Sequence, residues 1–233
     1  MSKQEVCAMI AAAGMGRRMN YELNKQFLPI RGKPMIRRTL EKFDVMEEID
    51  KIVLLIREGE EPMIASILHA MQPIHPIHIV IGGKERQDSI WQGLQFLSDW
   101  DGIVLTHDGA RPFITRAEIL ESIRCAEEYG ACCLMTPMKD TVKISSDGKW
   151  ARVTPDRSKL YAIQTPQGFQ KDVLVHAYRQ AFDEGYYGTD DCSLVEKTGK
   201  SVRLIPGSYN NIKITTPEDL ILAEAICEDR DEL

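Results

Sequence analysis

Short, unbroken apolar runs alternate with longer amphipathic ones through the first two thirds of the sequence, and few folds accommodate that rhythm. Residues 6–13, 51–56, 77–81, 103–106 and 131–136 read as strands, because they are short, mostly apolar and rich in branched side chains. Between them lie helical patterns. Pro34 opens the first, with Ile36, Leu40 and Phe43 at i, i+4 and i+7. Met63, Ile64, Ile67, Leu68 and Met71 mark a second, and Ile90, Leu94 and Leu97 a third. Thr115 and Glu118 form a capping box for a fourth, which runs to about Tyr129. This alternation predicts an α/β fold: a mostly parallel, twisted sheet with helices on both faces, because parallel neighbours need long crossovers.

The rhythm breaks after residue 137. Residues 141–145 and 149–154 flank Asp147-Gly148, a hairpin turn signal, in a stretch with few large apolar residues. An isolated hairpin is barely stable in water, so this arm, at about 138–160, is expected to lean on a second subunit. The α/β pattern then resumes with a strand at 161–165, a helix at 171–184, a strand at 202–205 and a last helix. Thr216 caps that helix, with Pro217 at its first position. No linker or repeat divides the chain, so its 233 residues are expected to form one domain with an arm.

Composition closes off several functional classes. Hydrophobic residues at 43% and charged residues at 27% fit an ordinary globular protein, and no apolar run approaches the ~20 residues a membrane span needs. The net charge of −6 argues against nucleic-acid binding. Residues 1–42 nevertheless hold nine Lys or Arg against three Glu, which suits a small polyanion held locally. The six cysteines form no C-x-x-C pair and are expected to be free thiols in a reducing, cytoplasmic setting. The same setting is expected from the start of the chain, where no basic segment precedes a long apolar core. His75 and His78 are the one pair with metal-ligand spacing, and no cysteine or acidic ligand lies near them in sequence.

In a parallel sheet, ligands bind beyond the carboxyl ends of the strands. The first such end reads Ala11-Ala12-Ala13-Gly14-Met15-Gly16-Arg17-Arg18-Met19, with Lys25 seven residues after Arg18. Small residues and two glycines let backbone N–H groups approach an anion, and the cations stand beside them. By spacing alone this is either a phosphate cradle or a tight structural turn. It is not a dinucleotide fingerprint, because Met19 stands where a third glycine is needed, and no P-loop pattern exists. Three later ends converge with it. Gly82-Gly83-Lys84-Glu85-Arg86-Gln87-Asp88-Ser89 could bring backbone groups against a base edge. Asp108, in His107-Asp108-Gly109-Ala110-Arg111-Pro112, could reach a ribose hydroxyl or Mg²⁺, or cap the next turn. Lys213 precedes the last helix, where a solvated surface lysine is the bland alternative. The D-x-D pattern of a sugar-nucleotide glycosyltransferase occurs as Asp99-Trp100-Asp101, before its strand and at the wrong edge.

The blocks AAAGMGRRM, NKQFLPIRGKP, GGKERQDS, HDGARPF, DTVK, PDRSKLY, QTPQGF, GTDDCSLVE and NIKITTPEDL, in this order, resemble the 2-C-methyl-D-erythritol 4-phosphate cytidylyltransferases over nearly the whole chain. The resemblance implies a Rossmann-like nucleotidyltransferase that joins CTP to methylerythritol phosphate with Mg²⁺ and releases pyrophosphate. It implies that Arg18 and Lys25 stabilise the transition state and that Arg157 and Lys213 position the sugar phosphate. Ala12, Ala13, Gly14, Gly16, Gly83, Ser89 and Asp108 would hold the nucleotide, with Asp108 the candidate for the metal. Arg111, Thr141, Thr165 and Thr189 would hold the polyol phosphate. It also implies a homodimer in which Thr141 and Arg157 act in trans from the arm. Departures from the family pattern are Ala11 for a common Pro, Gly109 for Ala, Lys84 for an acidic residue and Tyr161 for Trp. A ribitol 5-phosphate cytidylyltransferase shares most of these blocks, and an inactive nucleotide-binding homologue would share the fold; Lys25, Lys213 and Arg18 are all retained here.

Overall fold

The computed structural model describes residues 4–14 and 24–231. Gly16 and Arg18 therefore lie outside the described residues. The strands are β1 (Val6–Ala11), β2 (Pro29–Ile30), β3 (Lys33–Pro34), β4 (Lys51–Ile56), β5 (Ile77–Ile81), β6 (Ile103–Asp108), β7 (Ala131–Pro137), β8 (Tyr161–Gln170) and β9 (Arg203–Pro206). The helices are α1 (Met35–Asp44), α2 (Glu61–Met71), α3 (Arg86–Phe96), α4 (Arg116–Tyr129), α5 (Lys171–Asp183), α6 (Asp191–Lys197) and α7 (Pro217–Asp231).

Seven strands form one sheet in the order β5-β4-β1-β6-β8-β7-β9, and β2 pairs with β3 in a small ribbon of its own. All pairings in the large sheet are parallel except those of β8, which runs against both β6 and β7. The mostly parallel sheet is as the sequence rhythm predicts; the reversed strand is not signalled by it. The reversal sets the start of β8 beside the end of β6.

The apolar runs are continuous because both faces of the sheet are covered. On one face Ala8, Ile10, Leu54 and Leu105 pack under Leu40 and Phe43 of α1, Ile64 of α2 and Ile119 of α4. On the other, Cys7, Met9, Val53 and Val104 pack under Leu94 of α3, Tyr178 of α5 and Val195 of α6. A third cluster seats α7, through Ala223 and Ile226, on Ile30, Met35, Phe113 and Ile214. The predicted capping box of α4 is present, with Thr115 Oγ1 accepting from Glu118 N–H and the Glu118 carboxylate accepting from Thr115 N–H at 2.9 Å. Thr216 Oγ1 likewise accepts from Asp219 N–H in the first turn of α7.

The arm differs from the expected two-stranded hairpin. Between residues 138 and 160 a single bridge pairs Ile144 with Val153, and the rest follows no regular ladder. Too few apolar side chains are available within one chain to fix it: Ile144, Val153 and Trp150 are all exposed, Trp150 by 76%. All six cysteines are free and buried, as expected. His75 uses its ring against the Asp44 carbonyl, and no cluster able to hold a metal occurs among the described residues.

Candidate active site

The carboxyl ends of the parallel strands open onto two adjoining cavities. The first, about 370 Å³, is walled by Ala13 and Gly14 after β1, by Gly83 and Ser89 around the start of α3, by Asp108 at the end of β6, and by Lys25. The second, about 420 Å³, takes in Arg111, Thr165 and Thr189. Arg86, Asp108 and Lys213 line both and form the partition between them. The residues expected to hold a nucleotide and those expected to hold a polyol phosphate thus fall largely into separate, touching hollows.

Each wall follows from local structure. Ala12 continues the ladder of β1, its N–H donating to Leu55 O at 2.8 Å, so the chain turns only at Ala13. Ala12 is 2% exposed and its side chain belongs to the core. After β5, Gly83 N–H donates to Ser89 Oγ at 3.0 Å, folding the loop onto the first turn of α3. A Cβ on Gly83 would lie 2.3 Å from Asp88 Cβ, so glycine is required for that approach. Lys213 reaches the partition because its loop is fastened from below. Buried Asn211 donates to Thr165 O at 3.0 Å, and Ile214 N–H donates to Ala110 O at 2.9 Å. Lys25 Nζ donates to Ile214 O at 3.0 Å, which draws the two lysines to one rim.

Asp108 is the centre of the partition. Its Oδ2 accepts from Lys213 Nζ at 2.7 Å and its Oδ1 from Arg86 Nε at 3.2 Å, while Arg111 Nε stands 3.7 Å from Oδ2. Burial alone would push this carboxyl up, but Arg86, Lys213 and Arg111 overwhelm it and hold the group well below the usual carboxylate range. Asp191 also pairs with Arg86, so two carboxylates face three cations and the partition keeps a net positive charge for a ligand. Arg111 illustrates it: Nη1 donates to Asn211 O at 2.7 Å, whereas buried Nε has no hydrogen-bond partner among the described residues.

A second arginine pair sets the geometry from behind. Arg86 donates from Nη1 and Nη2 to the two oxygens of Asp191 at 2.8 and 2.9 Å, a bidentate clamp. Asp191, 1% exposed, also accepts from Thr106 Oγ1 at 2.6 Å and Tyr178 Oη at 2.5 Å. Desolvation of Arg86 is outweighed by Asp191 and Asp108, which hold its guanidinium well above the ordinary range. On the other flank, Asp108 N–H donates to Thr165 Oγ1 at 3.0 Å. The Thr165 hydroxyl donates to His107 Nδ1 at 3.1 Å, and His107 Nε2–H donates to Arg111 O at 3.0 Å; the tautomer is assigned from these partners.

Thr141 and Arg157 are exposed on the arm and line neither cavity of their own chain; Arg157 Nη1 donates to Lys139 O at 2.8 Å. Sequence reasoning passes over Arg86, Asp191 and Gln26. Gln26 lines the first cavity, is 3% exposed, and its Oε1 has no hydrogen-bond partner among the described residues. A legible signal does exist for Asp191. Asp190 and Ser193 make a capping box for α6, and the position after such a cap sits in the first turn, beside the strands it packs on.

Comparison with known proteins returned one family and consistent relatives. A family model described as 2-C-methyl-D-erythritol 4-phosphate cytidylyltransferase matches residues 6–229. A protein of that name from Clostridioides difficile is 48% identical over 227 residues, covering 97% of this chain and 95% of the relative. Another from Clostridium botulinum is 45% identical, covering 98% of this chain and 99% of the relative. Among solved structures, 4-diphosphocytidyl-2C-methyl-D-erythritol synthase from Anaerococcus prevotii superposes with a TM-score of 0.86 at 36% identity, covering 97% of each chain. The 2-C-methyl-D-erythritol 4-phosphate cytidylyltransferase from Thermus thermophilus gives 0.78 at 30% identity, covering 96% of this chain and 99% of that one.

Proposed function

The chain belongs to the 2-C-methyl-D-erythritol 4-phosphate cytidylyltransferase family, and we infer from that premise how its two cavities divide the reaction. It is a nucleotidyltransferase that converts CTP and 2-C-methyl-D-erythritol 4-phosphate to the cytidine diphosphate derivative and pyrophosphate. The observation that carries the division of labour is the shared partition of Arg86, Asp108 and Lys213. CTP occupies the hollow beside Ala13, Gly14 and Gly83. The polyol phosphate occupies the hollow beside Arg111, Thr165 and Thr189. Their reacting phosphates meet across Lys213.

A phosphate monoester is largely ionised at neutral pH and needs no strong base to act as nucleophile. One of its oxygens attacks the α-phosphorus of CTP in line. The bond from that phosphorus to the bridging oxygen breaks, and its electron pair leaves with pyrophosphate. The obstacle is repulsion between anions, about 4 kcal/mol for two unit charges 4 Å apart at an effective dielectric of 20. Lys25 and Lys213, with Arg18, offset that repulsion and the charge building on the equatorial oxygens. Arg111, whose Nε makes no hydrogen bond among the described residues, anchors the substrate phosphate. Arg157 and Thr141 complete the site from the arm of a second subunit. The exposed Ile144, Trp150 and Val153 support that homodimer, since a partner would cover them. Cytosine is read by backbone groups near Ala13 and Gly83.

Mg²⁺ would supply further neutralisation of the triphosphate. The side chains present do not fit an ion held by the protein, because Asp108 is already engaged by Lys213 and Arg86 with Arg111 beside it. The ion then enters on the triphosphate's own oxygens. No helix among the described residues is long and apolar enough to cross a membrane, and buried reduced thiols support a reducing, cytoplasmic setting. The decisive assay is pyrophosphate release with CTP and, separately, methylerythritol phosphate and ribitol 5-phosphate. Turnover with the first alone is expected; preference for ribitol 5-phosphate would overturn the substrate assignment.

A further inference from the structure

The first turn of α3 presents four consecutive polar residues, and the chemistry above leaves the second, Gln87, without a task. Gln87 is 6% exposed, so its carboxamide must find partners within the protein. It finds them far away in sequence: Nε2 donates to Tyr186 O at 3.1 Å, and Oε1 accepts from Gly188 N–H at 3.0 Å. Both ends of one amide thus clasp the backbone on either side of Tyr187. The Tyr187 hydroxyl returns to the same turn, donating to Asp88 Oδ1 at 3.0 Å. The other Asp88 oxygen accepts from Glu85 N–H at 3.0 Å, inside the loop that walls the nucleotide cavity. Arg86 holds Asp191, just beyond, by its bidentate pair. Gly188 itself leaves no slack, because a Cβ there would lie 2.5 Å from Ser193 Oγ. The residue caught between these anchors is Thr189, on the wall of the second cavity.

We propose that Gln87 is a positioning residue for the polyol phosphate, and that the first turn of α3 transmits occupancy of the nucleotide loop to the segment bearing Thr189. This rests on the reading of the second cavity as the polyol-phosphate site. The segment is suited to the part: Tyr186 packs on the core, but Gly185, Tyr187 and Thr189 are exposed, so the hydrogen bonds from α3 share in setting its place. A ligand that orders residues 83–85 also orders, through Asp88 and Gln87, the backbone that presents the Thr189 hydroxyl. Coupling of this kind needs only that the two loops share contacts whose strength differs between the empty and filled states.

The test uses the full-length enzyme, with steady-state KM measured for each substrate at saturating levels of the other. Gln87→Met keeps the volume of the side chain and deletes both hydrogen bonds. Losing a buried pair of this kind predicts a rise of about tenfold in KM for methylerythritol phosphate, while the Kd for CTP alone, from equilibrium titration, stays within about twofold of wild type. Thr189→Ala serves as the reference. A raised polyol-phosphate KM in Thr189→Ala but not in Gln87→Met overturns the clasp. The reverse pattern supports the clasp and overturns the role of Thr189. A comparable loss of CTP affinity in Gln87→Met with no polyol phosphate present reduces it to a structural residue and overturns the proposal. Hydrogen exchange in the wild type gives a readout that does not depend on any variant folding: CTP alone is expected to slow exchange at Gly188 N–H several-fold, and unchanged exchange there overturns the transmission.

Discussion

Lowering the pH from 7 to 5 is expected to remove about 2 kcal/mol of stability through one side chain, His107. Its ring is fully buried against Phe43, with centroids 4.9 Å apart, and both nitrogens are engaged by Thr165 and the Arg111 carbonyl. Burial pushes its pKa from 6.5 down to about 4, against the opposing pull of the Arg111 carbonyl and the Asp108 charge. The folded protein therefore declines a proton that the unfolded chain accepts. The associated stability is intact above about pH 6.5 and is lost as the pH falls toward 4. Integrating between those values gives roughly 2 kcal/mol lost between pH 7 and pH 5, and about 3 at the limit. Urea unfolding at the two pH values measures it directly. With a slope of about 2 kcal/mol per molar, the midpoint should move by roughly 1 M. The control is His107→Gln, whose amide can still donate toward the Arg111 carbonyl and does not titrate. That variant is less stable at both pH values, but its loss between them should nearly vanish. Asp108 does not confuse the result, because its lowered pKa makes stability fall only below the ordinary carboxylate range. An equal loss in wild type and variant would refute the reasoning.

Lys213→Met should reduce turnover by about 10²–10³, as removal of one transition-state donor typically does, while the melting temperature moves little because Asp108 keeps Arg86 and Arg111. Wild-type turnover would remove Lys213 from the chemistry. Gly83→Ala should displace the loop that its Cβ would strike at Asp88, raising KM for CTP at least tenfold; an unchanged KM would show that this loop does not touch the nucleotide. Mixing Arg157→Ala and Lys25→Ala subunits should restore activity in hybrid dimers, each retaining one intact site, and two inactive parents that stay inactive after mixing would argue that the arm does not act in trans.

The inner strands are legible in the sequence because burial on both faces leaves a continuous apolar run, whereas the edge strand β5 is legible from its branched residues although none of them is fully buried. Residues 51–56 and 77–81 fall on β4 and β5 to the residue. The direction of β8 is not legible, since 161–165 reads the same whichever way it runs. The arm is less regular than its turn suggests: Asp147-Gly148 signals a turn correctly, but a ladder also needs side chains to pack across it, and Ile144 with Val153 supplies only one pair. Within the site, glycines and cations near strand ends are visible as motifs, which is how Lys25, Gly83 and Asp108 stand out. Arg86 and Asp191 do not, because their meaning lies in a pairing across 105 positions that no local pattern encodes. Ala12 shows that the motif's small residues serve two purposes, since its side chain packs in the core while its N–H extends the ladder of β1.

Since β8 runs against β7, the main chain departs at Pro137 and returns at Tyr161 directly opposite it. Whatever lies between those two positions is a closed excursion from a single rim, tethered at neighbouring points. Lengthening, shortening or replacing it would not force any rung of the sheet to slide, and the entropic cost of a longer excursion grows only with the logarithm of its length. The architecture thus lets the arm vary in length and sequence on two fixed anchors, Pro137 and Tyr161, while the sheet beneath is left alone.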